Sequence, residues 1–274
     1  MIICDEHRLV FVHIPKCAGT SVRMTLQNFD SRGGKFTSRI SNHPSLGQLD
    51  YAHIPLFVLR EHFRPEFETL QEYWSVALIR NPFDRFASSV SQHLNMYSSQ
   101  SIQKRSPKDI QTAIKNIINY LSSQPKDTHL LSPEYIHFQK QVDYINVDNI
   151  RVIKNLYLVD EIDDLLVGLG QRLGQNLLVT THDSDRTSGN RTFVYRNDYL
   201  RRVFETTRPL ITHLANLLSE RVKENIRNIV YVPRDERMKN IFQTHQVQDF
   251  VQEYYSDDIA VYSDLLKFKR NFDQ

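Results

Sequence analysis

A lysine followed by a loop of small residues is the first place where residue types and spacing could do chemistry. Lys16 and Gly19 lie between a short apolar run, Leu9–Ile14, and a segment with helically spaced apolar residues that begins near Thr20. At a strand–loop–helix junction, unpaired backbone N–H groups and the positive end of the helix dipole converge on one point. Lys16 adds a full positive charge there. The stretch over residues 8–24 therefore predicts a phosphate-binding loop.

The spacing in this loop differs from that of loops that bind nucleoside triphosphates. Those loops have two glycines and a lysine directly before the serine or threonine that holds magnesium. Here there is one glycine, Gly19, and Lys16 lies four residues before Thr20. The other interpretation is an ordinary strand-to-helix turn with a solvated lysine. Thr20 and Ser21 are predicted to cap the helix.

A second strand–turn–helix unit carries an arginine at the corresponding position. Trp74–Ile79 reads as a buried strand, Arg80 follows it directly, and a helix begins near Phe83. Ser88 lies two turns along that helix, and the other role open to Arg80 is a salt bridge to Asp84. Ligands of parallel α/β sheets bind outside the carboxyl ends of the strands. The two loops together predict a site for a nucleotide with two separate anionic groups.

The elements that must position these loops alternate between strand and helix. That order predicts an α/β fold with a parallel sheet and right-handed crossovers. Ser106 and Pro107 begin a helix, residues 150–155 read as a third strand, and residues 161–173 read as an amphipathic helix that ends at Gly174. Further helices are predicted after residue 198, including a short final one after Ser256.

The composition excludes several classes of protein. A net charge of +2 gives no general affinity for polyanions, so no nucleic acid partner is expected. Two cysteines, Cys4 and Cys17, argue against a disulfide framework and a cysteine-rich metal site and favour a reducing compartment. The longest apolar runs are about six residues, against the ~20 that a membrane-spanning helix needs. The N-terminus lacks the features of a signal peptide, so the expected location is cytoplasmic.

Both motifs resemble those of one enzyme family. The segment 13–21, His-Ile-Pro-Lys-Cys-Ala-Gly-Thr-Ser, is similar to the 5′-phosphosulfate loop of sulfotransferases that use 3′-phosphoadenosine 5′-phosphosulfate (PAPS). The segment 80–88, Arg-Asn-Pro-Phe-Asp-Arg-Phe-Ala-Ser, is similar to their 3′-phosphate motif. The most similar branch is the carbohydrate group that includes heparan sulfate 2-O-sulfotransferase. The resemblance implies a P-loop NTPase-like parallel sheet flanked by helices, with PAPS as the donor and no metal.

The resemblance also implies which residues bind the donor. A later basic loop folds over the adenine and the 3′-phosphate in relatives, although an exposed loop before a helix explains that part of this sequence equally well. Cys17 stands where relatives often have threonine, and we interpret it as a packing residue rather than a nucleophile. The implied donor-binding residues are Lys16, Cys17, Ala18, Gly19, Thr20, Ser21, Arg80 and Ser88, with Arg186, Ser188 and Arg191 from the later loop.

The acceptor hydroxyl needs a general base with a pKa near neutral, which points to histidine. His53 is the candidate, because Tyr51-Ala-His53-Ile-Pro-Leu resembles the segment with the catalytic histidine of 2-O-sulfotransferases. Its other interpretation is a hydrogen-bonded structural histidine. His13 is expected to orient the loop, and His62 and His93 are weaker rivals.

The predicted protein is a PAPS-dependent sulfotransferase that moves a sulfuryl group to an acceptor hydroxyl by direct in-line displacement. Lys104, Arg105 and Lys108 are either part of an acceptor cleft or a solvated loop, and the acceptor is a glycan, a lipid or a small natural product. The alternatives are a magnesium-dependent P-loop kinase and a non-catalytic nucleotide- or glycan-binding protein on this scaffold. One domain is predicted over residues 1–274, with a core at about 8–95 and 150–200, a helical acceptor-side segment at about 96–148 and C-terminal helices at about 198–268.

Overall fold

The structure is a computed structural model that describes residues 1–98, 105–125, 129–177, 193–195, 231–233 and 240–272. The chain divides into two compact units, one of Met1–His182 with His245–Gln274 and the other of Asp183–Thr244. The single domain over residues 1–274 stays a prediction.

The elements of the described residues are numbered in chain order. The strands are β1 (Ile2–Cys4), β2 (Leu9–Val12), β3 (Ile40–His43), β4 (Gly47–Asp50), β5 (Trp74–Ile79), β6 (Asn146–Val147), β7 (Ile150–Arg151), β8 (Asn155–Leu158), β9 (Phe193–Tyr195) and β10 (Tyr231–Pro233). The α-helices are α1 (Gly19–Leu26), α2 (Leu56–His62), α3 (Arg64–Glu72), α4 (Pro82–Tyr97), α5 (Pro107–Ser123), α6 (Ile162–Leu173), α7 (His245–Tyr254) and α8 (Ser256–Phe272). Within the second unit, β9 and β10 pair antiparallel.

A four-stranded sheet with the order β1-β2-β5-β8 lies at the centre of the first unit. β2, β5 and β8 are parallel, and β1 adds an antiparallel edge strand next to β2. Every residue of β2 is at most 2% exposed, as expected of a strand covered on both faces. The predicted α/β fold with a parallel-containing sheet flanked by helices is confirmed.

The register of the sheet brings two loops to the same edge. Phe11 pairs with Val76 and Val12 with Ala77, so the carboxyl ends of β2 and β5 lie side by side. The loop after β2 leads into α1, and the loop after β5 leads into α4. The two predicted anion-binding loops are therefore neighbours in space.

The third parallel strand lies further along the chain than the sequence predicts. It spans Asn155–Leu158, whereas residues 150–151 form β7 of a small antiparallel hairpin with β6. Asp148 and Asn149 connect the hairpin, with φ angles of 51° and 61°. Two consecutive positive φ angles are typical of the tight turn that joins hairpin strands, which aspartate and asparagine tolerate. The predicted strand over 150–155 is thus wrong in its position.

Two helix termini agree with the sequence, and the predicted length of the final helix does not. Ser106 and Asp109 form a reciprocal capping box at the start of α5, and Gly174 ends α6 with φ 65°. The final helix, α8, is longer than predicted. None of the described helices is long and apolar enough to cross a membrane.

Candidate functional site

The loop between β2 and α1 turns through two left-handed residues. Lys16 has φ 64° and Ala18 has φ 56°. Ala18 is the N-cap of α1, and its side chain forms no capping hydrogen bond. The prediction that Thr20 and Ser21 cap the helix is therefore wrong, because the N-cap is Ala18 and both hydroxyls lie in the first turn of the helix. A helix that starts without a side-chain cap leaves its first N–H groups to an anion.

Gly19 is fixed at the start of α1 by the ring of His13. A Cβ atom on residue 19 would lie 2.3 Å from Cδ2 of His13. That ring is 5% exposed, and it stacks on Phe11 with 6.4 Å between ring centroids. Only glycine lets the helix approach a buried imidazole this closely. The expectation that His13 orients the loop agrees with this packing.

Arg80 links the second loop to the first. Its Nη1 donates a hydrogen bond of 3.2 Å to the carbonyl oxygen of Lys16. Nζ of Lys16 lies 3.4 Å from Oε1 of Gln92 on α4. Asp84 is exposed, and no ion pair joins it to Arg80, although the structure describes both side chains. The two basic side chains thus lie at one edge of the sheet, where an anion with two charged groups could contact both.

The other polar residues of the second motif divide into two groups. Arg85 is 1% exposed and pairs with Asp258 at 3.5 Å, so it is a structural residue. Ser89 donates to the carbonyl oxygen of His137 at 2.8 Å. Ser88 is half-buried and forms no side-chain hydrogen bond within the described part of the chain. Of the two serines, Ser88 is the one whose hydroxyl is left for a ligand.

His53 lies in a cluster of buried imidazoles. It ends the short 3₁₀ helix Tyr51–His53 and is 8% exposed. Its ring centroid is 4.6 Å from that of His13 and 5.4 Å from that of His137. Burial lowers the pKa of His53 well below its usual value, and the neighbouring imidazoles lower it further. His53 is therefore neutral at pH 7, and its Nδ1 lies 3.4 Å from the carbonyl oxygen of His13.

Asp50 and His137 are candidate site residues that the sequence analysis did not identify. With His53 they form the one group in the described ranges that could hold a metal ion, with ligand atoms within 4.8 Å of one another. Burial lowers the pKa of His137 to about 3, and the charges of Lys16 and Arg39 contribute to the shift. The charges of Lys16 and Arg39 disfavour a cation beside His137, whereas the carboxylate of Asp50 favours one. Asp50 could have been found from its N-cap position before His53, whereas no motif surrounds His137.

Cys17 is packed rather than reactive. It is 1% exposed, and its Sγ donates to Oε1 of Gln141 at 3.2 Å. Burial raises the pKa of the thiol to about 12 and outweighs the opposite effects of nearby Arg85 and Arg80. A thiol with this pKa is not a nucleophile at neutral pH.

Several predicted residues lie away from this site or outside the described residues. Arg186, Ser188, Arg191 and Lys104 lie outside them. His62 contacts His43 through ring packing, and His93 packs on Tyr135. Neither of these rival histidines joins the cluster of His53.

Comparison with known proteins agrees with this geometry. A family model described as the sulfotransferase family matches residues 1–156, more than half of the 274-residue chain. The matched range contains both loops, His53 and His137. No curated protein and no solved structure matches the chain significantly. The resemblance to the heparan sulfate 2-O branch stays a prediction. The chain belongs to the sulfotransferase family.

Proposed function

We propose that the protein transfers a sulfuryl group from PAPS to an acceptor hydroxyl. The observation that carries the proposal is the juxtaposition of the uncapped start of α1 with Lys16 and Arg80, at the carboxyl ends of adjacent parallel strands. In a member of the sulfotransferase family, this pair of anion sites fits a donor with a 5′-phosphosulfate and a 3′-phosphate.

The first loop supplies the site for the 5′-phosphosulfate. Its N–H groups from Ala18 to Ser21 lie at the positive end of the α1 dipole, and Gly19 has no Cβ there to block the close approach of His13. As sulfur leaves, negative charge accumulates on the 5′-phosphate. Lys16 and the loop amides stabilise that charge, and this needs no metal ion.

The second loop supplies the site for the 3′-phosphate. Arg80 has a planar set of donors, which suits a bidentate contact with phosphate. The contact with the Lys16 carbonyl uses Nη1 of Arg80. Ser88 adds a hydroxyl about two turns along α4. The expectation that Arg186, Ser188 and Arg191 also bind the donor comes from the sequence alone, because these residues lie outside the described residues.

His53 takes the proton of the acceptor hydroxyl while the hydroxyl oxygen bonds to sulfur. An imidazole that donates from Nδ1 to the His13 carbonyl has Nε2 left to accept a proton. The lowered pKa keeps His53 unprotonated at neutral pH, and an anionic donor beside the ring raises that pKa. Asp50 and His137 border the ring within the same cluster.

The test is turnover of labelled PAPS over a panel of glycan, lipid and small hydroxyl acceptors. Lys16→Ala and His53→Ala are each expected to abolish turnover, while His53→Ala leaves donor binding nearly intact. Lys115→Ala, at an exposed lysine on α5, and His62→Ala are the matched controls. If His53→Ala keeps most of the activity, the assignment of the base is wrong. If the wild-type protein binds the donor product without any turnover on the panel, the non-catalytic alternative is favoured.

A further inference from the structure

A glutamine outside both sequence motifs contacts both loops of the site. Gln141 is 1% exposed and lies just before the 3₁₀ helix Val142–Tyr144. Its Oε1 accepts hydrogen bonds from the backbone N–H of Arg80 at 2.9 Å and from Sγ of Cys17 at 3.2 Å. Its Nε2 donates to the carbonyl oxygen of Arg80 at 3.0 Å. One side chain therefore ties Cys17 of the first loop to Arg80 of the second.

The chemistry of these contacts requires an amide. A backbone N–H can only donate and a backbone carbonyl can only accept, so the two bonds to Arg80 fix which end of the Gln141 amide is oxygen. A carboxylate has no donor for the Arg80 carbonyl, and an aliphatic side chain satisfies neither backbone group. Buried polar groups that lose their partners are costly, so this backbone position depends on Gln141.

Gln141 is itself held by the C-terminal helix. Its backbone N–H donates to Oδ2 of Asp258 at 2.9 Å, and that of Val142 donates to Oδ1 at 2.9 Å. Asp258 lies on α8 and forms the buried ion pair with Arg85 of α4. The hydroxyl of Tyr255 also donates to the Phe138 carbonyl, at 2.9 Å. These contacts fix the backbone of the segment that carries Gln141.

We infer that Gln141 is a positioning residue that sets the spacing between the phosphosulfate loop and Arg80. This inference rests on the proposed function, because the spacing matters for a ligand that contacts both loops. The side chain is too buried to touch the ligand itself. It acts through the backbone of Arg80. The amide of Gln141 fixes that backbone, and the backbone position determines where the guanidinium can reach.

The test compares two buried glutamines in the same segment. Gln139 is 4% exposed and also bonds through both ends of its amide, to Leu131, His129 and Asp143, but to neither loop. Gln141→Leu and Gln139→Leu thus remove similar buried amides. Calorimetry then measures the affinity of each variant for 3′-phosphoadenosine 5′-phosphate and for adenosine 5′-phosphate, which lacks the 3′-phosphate.

Gln141→Leu is expected to lower the preference for the 3′-phosphate about 10-fold, because a misplaced Arg80 loses part of its contact with that phosphate. Gln139→Leu is expected to keep the wild-type preference. Hydrogen exchange gives a second readout without ligand, in which the amide proton of Arg80 loses protection only in the Gln141 variant. Gln141→Met, which also lacks the amide, replaces the leucine variant if that one does not fold.

Two outcomes separate this inference from the proposed function. If the wild-type protein has no preference for the 3′-phosphate, the proposed function fails. If the wild-type protein has the preference and Gln141→Leu retains it, or if Gln139→Leu loses it equally, the role of Gln141 is overturned and the proposed function stands.

Discussion

Gly19→Ala is the substitution whose effect the geometry determines most directly. A Cβ atom at this position would lie 2.3 Å from Cδ2 and 2.9 Å from Nε2 of His13. The ring cannot move away easily, because it is buried, stacks on Phe11 and contacts His53 edge-on. Forcing one extra methyl group into a packed site costs about 1–3 kcal/mol. The higher helix propensity of alanine offsets at most ~1 kcal/mol of this cost.

With the full offset from helix propensity, the expected net loss in the free energy of unfolding is about 0–2 kcal/mol. Urea unfolding followed by circular dichroism measures it. Gly168→Ala on α6 is the matched control, because its Cβ would meet only the Tyr157 hydroxyl, at an ordinary 3.6 Å. That variant is expected to gain up to ~1 kcal/mol in the free energy of unfolding.

Turnover should also fall in Gly19→Ala, since a displaced His13 moves its neighbour His53. A Gly19→Ala variant as stable as the Gly168→Ala variant would refute the packing of His13 against α1.

Three further predictions concern the same region. His137 has a pKa of about 3 in the folded protein against 6.5 in the unfolded chain, so the unfolded state binds more protons below about pH 6.5 and stability falls as the pH drops. His137→Gln should reduce this loss by up to ~1.4 kcal/mol per pH unit between about pH 6 and 4. Urea unfolding at several pH values measures it, and a free energy of unfolding with the same pH dependence in both proteins would argue against a buried neutral imidazole. Ala18→Gly should raise the free energy of unfolding by about 0.5–1 kcal/mol, because glycine adopts the left-handed conformation of residue 18 without the steric strain of a Cβ atom. A lower free energy of unfolding would contradict that backbone conformation. Cys4 and Cys17 are both buried, so Ellman's reagent should find no fast-reacting thiol before unfolding, and rapid labelling of Cys17 would contradict its packing.

The two loops could be predicted from the sequence because their signals are local. Lys16 with Gly19, and Arg80 after an apolar run, each lie within one strand–turn–helix unit. That the two loops lie next to each other could be predicted too, because ligands bind at the carboxyl ends of parallel strands. The predicted position of the third parallel strand was wrong because Ile150, Val152 and Ile153 make residues 150–155 look like a short strand. The two-residue turn at 148–149 turns that stretch into a hairpin instead.

The remainder of the site depends on contacts between distant parts of the chain. Gln141 meets Asp258 across 117 residues and Arg80 across 61 residues, and no short pattern encodes either pairing. The sequence has eleven histidines, and only the fold brings His13, His53 and His137 together. Arg85 shows the converse, since it lies within the recognised 80–88 motif but is committed to a buried ion pair.

The central claim is that Lys16 and Arg80 hold two separate phosphate groups of one nucleotide. The most direct measurement is calorimetric titration, without magnesium, of wild type and Arg80→Ala with 3′-phosphoadenosine 5′-phosphate and with adenosine 5′-phosphate. A charged hydrogen-bonded contact contributes about 1.5–3 kcal/mol, so the wild type should prefer the 3′-phosphorylated ligand about 10- to 100-fold. Arg80→Ala should bind both ligands with similar affinity. Equal affinities in the wild type, or tight binding only of ATP with magnesium, would contradict the claim.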